Sequence, residues 1–305
     1  MKTPYWFLHR GALALALLPM SGIYAIANRV VMKIRGRHPW QSRRKIICVG
    51  NILAGGVGKT PIVRQIAEFL DSPVVMRGYK KTEKTGNVGD EALMLARYGL
   101  NVHTGDRKSN IILLDKQDAN TPIVMDDGFQ NTSIKKDLSI VVVDASIGFG
   151  NGFLLPAGPM REGRKALQRA DAIIVIKPYD DKYAKNLNLP VNIPVFYAEN
   201  TTVSPYDDDE KLVAFAGIGY PEKFFHQLKN VVYKKSFADH YQYTESDIKN
   251  LIDLAAKYDA KLITTEKDWV RLPENIRDEI KYAKLDTKID NAFFKWLGDK
   301  LNGNI

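Results

Sequence analysis

A glycine-rich segment between residues 50 and 60 constrains the fold of this 305-residue chain more than any other feature of the sequence. It reads Gly50-Asn-Ile-Leu-Ala-Gly-Gly-Val-Gly-Lys-Thr60, after an apolar run and before an amphipathic stretch. Glycines in such a loop turn backbone N–H groups towards phosphates, a lysine reaches the terminal phosphates and a threonine hydroxyl holds Mg²⁺. The usual pattern is broken only at Leu53, where its first glycine would fall. We therefore predict a nucleotide-binding loop that consists of Gly55, Gly56, Val57, Gly58, Lys59 and Thr60.

Short apolar runs alternate with longer amphipathic stretches after residue 45. Near-continuous Val and Ile runs are typical of parallel strands buried on both faces. We expect strands at residues 46–49, 74–76, 123–125, 140–143, 173–176, 195–198, 212–216 and 262–264. We expect helices at residues 59–70, 90–98, 221–228 and 246–258, the last capped by Ser246.

The predicted fold class is α/β: a P-loop NTPase-type parallel sheet covered by helices, with an N-terminal membrane-associated helix and a second, smaller α/β domain. The polar stretch at residues 200–210 is the best candidate boundary. We predict a membrane-anchoring helix at residues 1–32, a P-loop kinase domain at residues 33–205 and the smaller C-terminal α/β domain at residues 206–305.

The net positive charge of the chain comes from its N-terminal segment. The formal net charge is +9, from 44 Lys and Arg residues against 35 Asp and Glu residues. Residues 1–45 contain nine of the bases, Lys2 among them, and no acid, so the remainder is formally neutral. A nucleic-acid-binding domain would carry a basic face on its folded body. The distribution argues against a nucleic-acid partner and favours a local anionic partner such as lipid headgroups.

An uncharged run of 18 residues, Gly11 to Asn28, lies between Arg10 and Arg29. As one helix it would be ~27 Å long, which suits crossing a ~30 Å hydrocarbon core or lying at its surface. A secretory signal peptide is the alternative. Because most of the N-terminal bases follow the run, the positive-inside bias keeps the body in the cytoplasm, where nucleotide is available. We predict a retained anchor that spans the membrane or lies in its interface.

Acidic residues near the predicted strand ends are candidates for Mg²⁺ binding. Asp126 and Asp127 follow one apolar run, and paired carboxylates before a glycine suit a hard cation. Asp144 ends another run and is as well explained as a turn or capping acid. Asp90 and Glu91 open a predicted helix, where the helix dipole favours acids whatever their chemistry.

Three other segments carry polar groups of interest. The glycine-rich loop at residues 149–162 suits an amphipathic substrate, with Arg161 on an anionic group, or is purely structural. His240 is either a catalytic residue or an ordinary surface or core histidine. The segment Thr265-Glu-Lys-Asp268 is similar to a guanine-reading motif with its lysine one position late, so we expect ATP rather than GTP.

Taken in order, these motifs resemble one family, the tetraacyldisaccharide 4′-kinases of lipid A synthesis. The resemblance covers essentially the whole chain and rests on the apolar N-terminal segment and on Gly55-Gly-Val-Gly-Lys-Thr-Pro61, Arg77-Gly-Tyr79, Gly89-Asp-Glu91, Asp126-Asp-Gly-Phe-Gln130, Phe149-Gly-Asn-Gly152, Leu155-Pro-Ala-Gly-Pro-Met-Arg-Glu162, Phe237-Ala-Asp-His240 and Thr265-Glu-Lys-Asp268. It implies transfer of the γ-phosphate of ATP to the 4′-hydroxyl of a tetraacylated glucosamine disaccharide 1-phosphate. It also implies a location at the cytoplasmic face of the bacterial inner membrane.

The resemblance implies roles for individual residues. Asp90 is the implied base for the sugar hydroxyl, and His240 forms a dyad with it. The implied site residues are, for catalysis, Asp90, His240 and Lys59; for the metal, Thr60, Asp126, Asp127 and Glu91; and for the substrate, Arg77, Asn151 and Arg161. ATP and Mg²⁺ are the implied cofactors. The expected partners are the acylated disaccharide lipid and anionic inner-membrane lipids, with no nucleic acid and no obligate protein partner.

Two other functions fit part of the pattern. A membrane-bound P-loop switch ATPase has a loop similar to residues 54–60, but Ala54 stands where that class has its signature lysine. A non-catalytic, membrane-tethered nucleotide sensor would also keep the loop. Labelled ATP separates these functions, because the kinase labels the lipid, the switch hydrolyses ATP without acceptor and the sensor binds without turnover.

Overall fold

The computed structural model describes residues 4–78, 89–117 and 120–303, so Lys2 and Tyr79 lie outside the described residues. These residues form two compact units. The larger unit contains residues 4–78, 95–117, 120–199 and 288–303, and the smaller unit contains residues 89–94 and 200–287. The predicted change of domain at residue 205 thus lies close to an observed change of unit at residue 199. Residues 288–303, predicted within the C-terminal domain, belong to the larger unit.

A parallel sheet forms the core of the larger unit. Its strands, each assigned to the unit in which it begins, are β1 (Ile46–Gly50), β2 (Val74–Met76), β3 (Val102–Thr104), β4 (Ile123–Asp126), β5 (Leu138–Asp144), β6 (Ala172–Ile176) and β7 (Val195–Val203). Their order is β3-β2-β4-β1-β5-β6-β7, with parallel pairing throughout. All residues of β1, β4 and β5 are buried, which explains why these strands are apolar runs in the sequence.

The smaller unit has its own parallel sheet. Its strands are β8 (Leu212–Ala216), β9 (Val231–Ser236), β10 (Lys261–Thr265) and β11 (Lys281–Ile289). The order is β11-β10-β8-β9. Central strand β8 is fully buried, and Phe224 and Phe225 are among the residues that pack against it.

Helices cover or connect the strands. They are α1 (Ala12–Ala16), α2 (Leu18–Arg35), α3 (Lys59–Leu70), α4 (Asp90–Arg97), α5 (Arg107–Asp115), α6 (Pro221–Gln227), α7 (Glu245–Tyr258), α8 (Glu266–Trp269), α9 (Glu274–Arg277) and α10 (Asn291–Asn302). Helix α3 places Ile62, Val63 and Ile66 in the core and packs on β1 and β4. It therefore holds the end of the glycine-rich segment against the middle of the sheet.

The apolar N-terminal run does not form the single helix considered in the sequence analysis. It is divided at Leu17 into α1 and α2, and Pro19 lies in the first turn of α2, where its missing N–H is tolerated. Helix α2 continues beyond the uncharged run to Arg35. Among the helices of the described residues, none is both long enough and apolar enough to cross a membrane.

Every strand and helix predicted after residue 45 is present. Their ends differ from the predicted ones by at most a few residues, except that β7 extends to Val203. The predicted cap of α7 is wrong: Thr244, not Ser246, caps it, in a reciprocal pair of hydrogen bonds with Asp247. Strands β3, β9 and β11 and helices α5, α8, α9 and α10 are not among the predicted elements.

The close approach of Gly50 to Phe129 generates a stability prediction. A Cβ at Gly50 would lie 2.6 Å from the Cβ of Phe129 and 3.0 Å from its backbone nitrogen. Gly50→Ala should therefore lower the free energy of unfolding by about 1–3 kcal/mol, the usual cost of overpacking a core. Gly163→Ala is the control, because a Cβ there would meet no described atom within 4 Å and the backbone is extended. Urea unfolding that shows equal stability for the two variants would contradict this packing argument.

Candidate functional site

The glycine-rich segment joins the end of β1 to the start of α3. Gly58 caps α3 with φ of 78°, and Gly55 has φ of 104°, conformations in which a side chain is strained. A Cβ at Gly55 or Gly56 would meet no described atom within 4 Å. The first N–H groups of α3 have no partner within the helix and point out of its N-terminus. Together these features suit a site for an anionic phosphate chain.

Backbone hydrogen bonds from loop 149–161 hold this segment in place. The N–H of Ala54 donates to the carbonyl of Pro159 at 2.7 Å, and the N–H of Arg161 donates to the carbonyl of Ile52 at 2.8 Å. Leu53 is buried and forms a bridge with Met160. The residue that breaks the usual glycine pattern is therefore used for packing against loop 149–161.

Asn151 has a structural role in loop 149–161, and its contact with substrate stays a prediction. The side chain is buried and donates to the carbonyls of Trp6 at 2.7 Å and Ala157 at 2.8 Å. Its amide oxygen accepts the N–H of Phe153 at 2.9 Å. Since both ends of the amide bind the protein's own backbone, Asn151 fastens the N-terminal segment to the loop.

Helix α2 packs on the same loop. The hydroxyl of Ser21 donates to the carbonyl of Leu154 at 2.9 Å, and the amide of Asn28 donates to the carbonyl of Arg161 at 3.2 Å. Loop 149–161 therefore contacts the glycine-rich segment at residues 50–60, hereafter the phosphate loop, through one set of carbonyl and N–H groups. It contacts the N-terminal helices through another set.

Asp127 lies between two cations at the end of β4. The ammonium of Lys59 is 3.3 Å from one of its oxygens, and the guanidinium of Arg161 contacts both oxygens, at 3.0 and 2.9 Å. Burial raises the pKa of Asp127, but the charges of Lys59 and Arg161 outweigh it, and the pKa lies below its ordinary value. Arg161, predicted to contact an anionic group of the substrate, thus contacts an anionic group of the protein itself.

The arrangement fits Mg²⁺ through its donor chemistry. Asp126 is buried beside Asp127, and Arg107 donates to both of their backbone carbonyls, at 2.9 and 3.0 Å. Thr60 lies in the first turn of α3. Mg²⁺ commonly takes one or two carboxylates and completes its shell with phosphate oxygens and water. Accordingly, the described residues contain no group of three or more His, Cys, Asp or Glu side chains that would bind a metal by themselves.

A second cluster of charged side chains lies in the smaller unit and includes Asp90 and His240. Asp90 is the first residue of α4, and His240 follows β9 with φ of 58°. The Nδ1 atom of His240 lies 2.9 Å from Oδ2 of Asp90. The backbone N–H of His240 donates to the carbonyl of Gly217 at 3.1 Å. The predicted pair, 150 residues apart in sequence, is therefore in direct contact.

Lys267 contacts the second ring nitrogen of His240. Its ammonium lies 3.3 Å from Nε2 of His240 and 2.7 Å from the carboxylate of Glu91. An ionised carboxylate is only an acceptor, so Nδ1 of His240 is the donor in the contact with Asp90. Glu91, predicted as a metal ligand, is therefore ion-paired with Lys267.

Arg271 is a further member of this cluster and contacts Asp90. Its side chain has no exposed surface, and its Nε donates to Oδ2 of Asp90 at 2.6 Å. Its Nη1 donates to the Asp268 carboxylate at 3.0 Å. Asp268 also accepts hydrogen bonds from the hydroxyls of Tyr243 and Thr265. Because Asp268 is fully buried in this network, the Thr265–Asp268 segment does not read a guanine base.

The cluster determines the charge of Asp90. Burial raises the pKa of this carboxyl, whereas the hydrogen bond from His240 and the charge of Arg271 lower it, and the resulting pKa is about 2. Asp90 is therefore ionised at neutral pH. An ionised carboxylate accepts a hydrogen bond from a hydroxyl and can take its proton.

The structure thus gathers most of the predicted residues into two clusters. Lys59, Thr60, Asp126, Asp127 and Arg161 lie in the larger unit, and Asp90, Glu91 and His240 lie in the smaller unit. Arg77 is exposed just after β2, in neither cluster. Arg107, Lys267 and Arg271 are not among the predicted site residues. Of these three, Lys267 lies in the Thr265–Asp268 motif, and its contacts with His240 and Glu91 join segments distant in sequence.

The family model and the curated relatives identify one family. The family model described as tetraacyldisaccharide-1-P 4′-kinase matches residues 13–302. The tetraacyldisaccharide 4′-kinase of Maricaulis maris is 41% identical over 88% of this chain and 86% of its own length. That of Paramagnetospirillum magneticum is 39% identical over 95% of this chain and 94% of its own. Among solved structures, LpxK from Aquifex aeolicus in complex with ATP has a TM-score of 0.71 and 24% identity, over 94% of this chain and 99% of that one, which shows a shared fold.

The low pKa of Asp90 predicts a loss of stability in acid. Its pKa is about 2 in the folded chain and about 3.9 in an unfolded one, so folding favours the ionised form. This contribution, about 2–3 kcal/mol, is fully present above about pH 4 and is lost as the pH falls through about 2. Urea unfolding over this range should therefore show a weaker pH dependence in Asp90→Asn than in the unaltered protein.

Asp71→Asn is the control, because Asp71 is an exposed carboxyl at the end of α3 and asparagine tolerates its left-handed backbone. It should keep the pH dependence of the unaltered protein. An unaltered pH dependence in Asp90→Asn would show that Asp90 is not the group responsible.

Proposed function

The chain belongs to the tetraacyldisaccharide-1-phosphate 4′-kinase family, and we propose that it transfers the γ-phosphate of ATP to the 4′-hydroxyl of a tetraacylated glucosamine disaccharide 1-phosphate. It is an ATP-dependent kinase of lipid A synthesis, with ATP and Mg²⁺ as its cofactors. The observation that carries the proposed chemistry is the contact between His240 and Asp90 at 2.9 Å, in which the carboxylate is ionised and buried.

The glycine-rich segment and Lys59 serve the nucleotide in this proposal. Backbone N–H groups of residues 55–60 hold the phosphates, and the Lys59 ammonium neutralises charge on the phosphate oxygens. Thr60, Asp126 and Asp127 would hold Mg²⁺, which supplies positive charge to the phosphate oxygens when bound. Arg107 keeps the backbone of the two aspartates in place through its hydrogen bonds to their carbonyls.

Asp90 serves the acceptor hydroxyl. Phosphoryl transfer has a loose transition state in most analyses, so the attacking hydroxyl needs orientation more than early deprotonation. A carboxylate with a pKa of about 2 is a weak base but a good hydrogen-bond acceptor. It aligns the hydroxyl and takes its proton as the new P–O bond forms, while the bond from the γ-phosphorus to the bridging oxygen breaks and ADP leaves. His240 holds Asp90 through Nδ1–H. Arg77 stays a predicted contact for the anionic lipid.

The N-terminal helices support a location at the cytoplasmic face of the bacterial inner membrane, which is part of this proposal. Helix α2 packs on loop 149–161 through Ser21 and Asn28, and Ile23 and Ile26 on its outer side are 70% and 67% exposed. Other exposed apolar residues of the same helix are Leu18, Met20, Val30, Val31 and Ile34. Lys33 and Arg35 lie in its last turn. An apolar stripe beside basic residues is typical of a helix that lies in the interface of an anionic membrane.

Transfer of label from ATP to lipid tests the kinase assignment and the role of Asp90. With γ-labelled ATP and the acylated disaccharide 1-phosphate, the purified chain should label the lipid. Asp90→Asn should lower kcat by about 10²–10⁴-fold, the usual contribution of a general base. The Kd for ATP should change less than twofold, because the side-chain contacts of Asp90 are to His240 and Arg271 of its own unit.

Asp247→Asn is the matched control for Asp90→Asn. Asp247 is also a carboxylate in the first turn of a helix of the smaller unit, but its contacts are to Thr244 and Tyr241. The kcat of Asp247→Asn should stay within about twofold of that of the unaltered protein. ATP hydrolysis without lipid acceptor would favour the switch ATPase, and full turnover in Asp90→Asn would exclude Asp90 as the base.

Replacing the exposed stripe should weaken membrane binding. Burial of two isoleucine side chains contributes several kcal/mol when complete, so Ile23→Ser with Ile26→Ser should reduce binding to phosphatidylglycerol vesicles at least about tenfold. The control is Leu113→Ser with Val191→Ser, which changes two exposed apolar residues outside the N-terminal helices. Vesicle sedimentation measures both variants, and equal binding would contradict a role for α2.

A further inference from the structure

Arg271 occupies the centre of the charged cluster, and the proposed reaction gives it no role. Its side chain has no exposed surface, and its guanidinium makes three hydrogen bonds of 3.0 Å or less, while Nη2 also lies 3.4 Å from Nδ1 of His240. Nε donates to Asp90 at 2.6 Å, and Nη1 donates to Asp268 and to the carbonyl of Gly217, both at 3.0 Å. The guanidinium therefore ties the first residue of α4 to two groups that are 51 positions apart in the chain.

Arg271 and His240 bind the same oxygen of Asp90. Nε of Arg271 and Nδ1 of His240 both contact Oδ2, at 2.6 and 2.9 Å. Two donors on one oxygen fix both the position and the rotation of a carboxylate, because the group can no longer turn about its terminal bond. The direction of Oδ1 is then determined by the two donors.

We propose that Arg271 is a positioning residue for the proposed base: it holds Asp90 by Oδ2 so that Oδ1 is directed at the acceptor hydroxyl. This inference rests on the proposed role of Asp90. Positioning needs accuracy, since displacement of a reacting group by about 1 Å can cost a hundredfold in rate. A residue that acts in this way lowers kcat when altered and leaves substrate binding nearly unchanged.

The surroundings of Arg271 give it the rigidity that this role requires. Asp268, its second anion, accepts the N–H of Gly217 at 3.0 Å and the hydroxyls of Tyr243 and Thr265 at 3.0 and 2.7 Å. A Cβ at Gly217 would lie 3.0 Å from Asp268, so these groups are closely packed. Arg271 is thereby bound to the residue that follows β8 and to α8, in addition to Asp90.

An arginine is needed because its donors form a planar fork. Nε and Nη1 point to different anions at the same time, with their directions fixed by the guanidinium plane. A lysine keeps the charge but has a single nitrogen on a flexible stem. Arg271→Lys therefore retains the compensation of the buried carboxylates and loses the fixed direction of Asp90.

The test is the kinetics of Arg271→Lys with γ-labelled ATP and the lipid acceptor. We expect kcat to fall about 10- to 100-fold, while the KM values for ATP and acceptor stay within about twofold. In an Asp90→Asn background the same substitution should have no further effect on kcat, because a positioning residue acts through the group that it positions. Full additivity of the two changes would overturn the proposal.

Arg277→Lys is the matched control. Arg277 is an arginine of the same unit whose Nη2 donates to the carbonyls of Val270 and Leu272, on either side of Arg271. It therefore supports the same chain segment without contacting Asp90. Its kcat should stay within about twofold, and a loss equal to that of Arg271→Lys would show that Arg271 acts only through local folding.

A second variant keeps the test decisive if Arg271→Lys does not fold. Asp268→Asn preserves the shape of the anchor, weakens its hold on Arg271 and leaves Asp90 and Arg271 in place. It should lower kcat about 3- to 10-fold, and an unaltered kcat would overturn the proposal. If Asp90→Asn itself retains full turnover, the proposed base is wrong, and this outcome is separate from failure of the Arg271 inference alone.

Discussion

The backbone hydrogen bonds between loop 149–161 and the phosphate loop are the constraint on which the larger unit's site depends. A glycine-rich loop has many accessible conformations, and ordering it is costly in entropy. Here residues 52–54 pair with residues 159–161, so the loop has a fixed partner before any nucleotide binds. Loop 149–161 in turn is fastened to the N-terminal segment through Asn151 and Ser21. The phosphate loop, loop 149–161 and the N-terminal helices are therefore connected by hydrogen bonds.

The two charged clusters use the same electrostatic arrangement. Asp127 lies between Lys59 and Arg161, and Asp90 lies between His240 and Arg271. In each case burial favours the neutral acid and the adjacent donors and cations favour the carboxylate, with the carboxylate prevailing. An acid at a strand end or helix start thereby stays ionised in a partly buried position. Such an acid is ready to contact a cation or a hydroxyl without first losing a proton.

The sequence predicted the central strands well, because strands covered on both faces are continuous apolar runs. It failed for β9 and β11, in which exposed residues, several of them lysines, interrupt the half-buried or buried ones. Lys59 was predicted from its motif, whereas the pairing of Asp90 with His240 was predicted only through the family resemblance, and the structure brings these two side chains into contact. Arg271 was not predicted, since its partner Asp90 is 181 positions away and no local pattern connects them. Contacts made by the fold, rather than by sequence neighbours, account for what the sequence analysis missed.

The position of Asn151 affects how genetic data on this chain would be interpreted. Its amide binds only backbone groups, yet it connects the N-terminal segment to the loop that braces the phosphate loop. A random mutagenesis screen scored by kinase activity would rank this residue beside those that contact nucleotide. Loss of activity at such a position reports the loss of an internal contact, so a functional ranking of residues also identifies the contacts that hold the chain together.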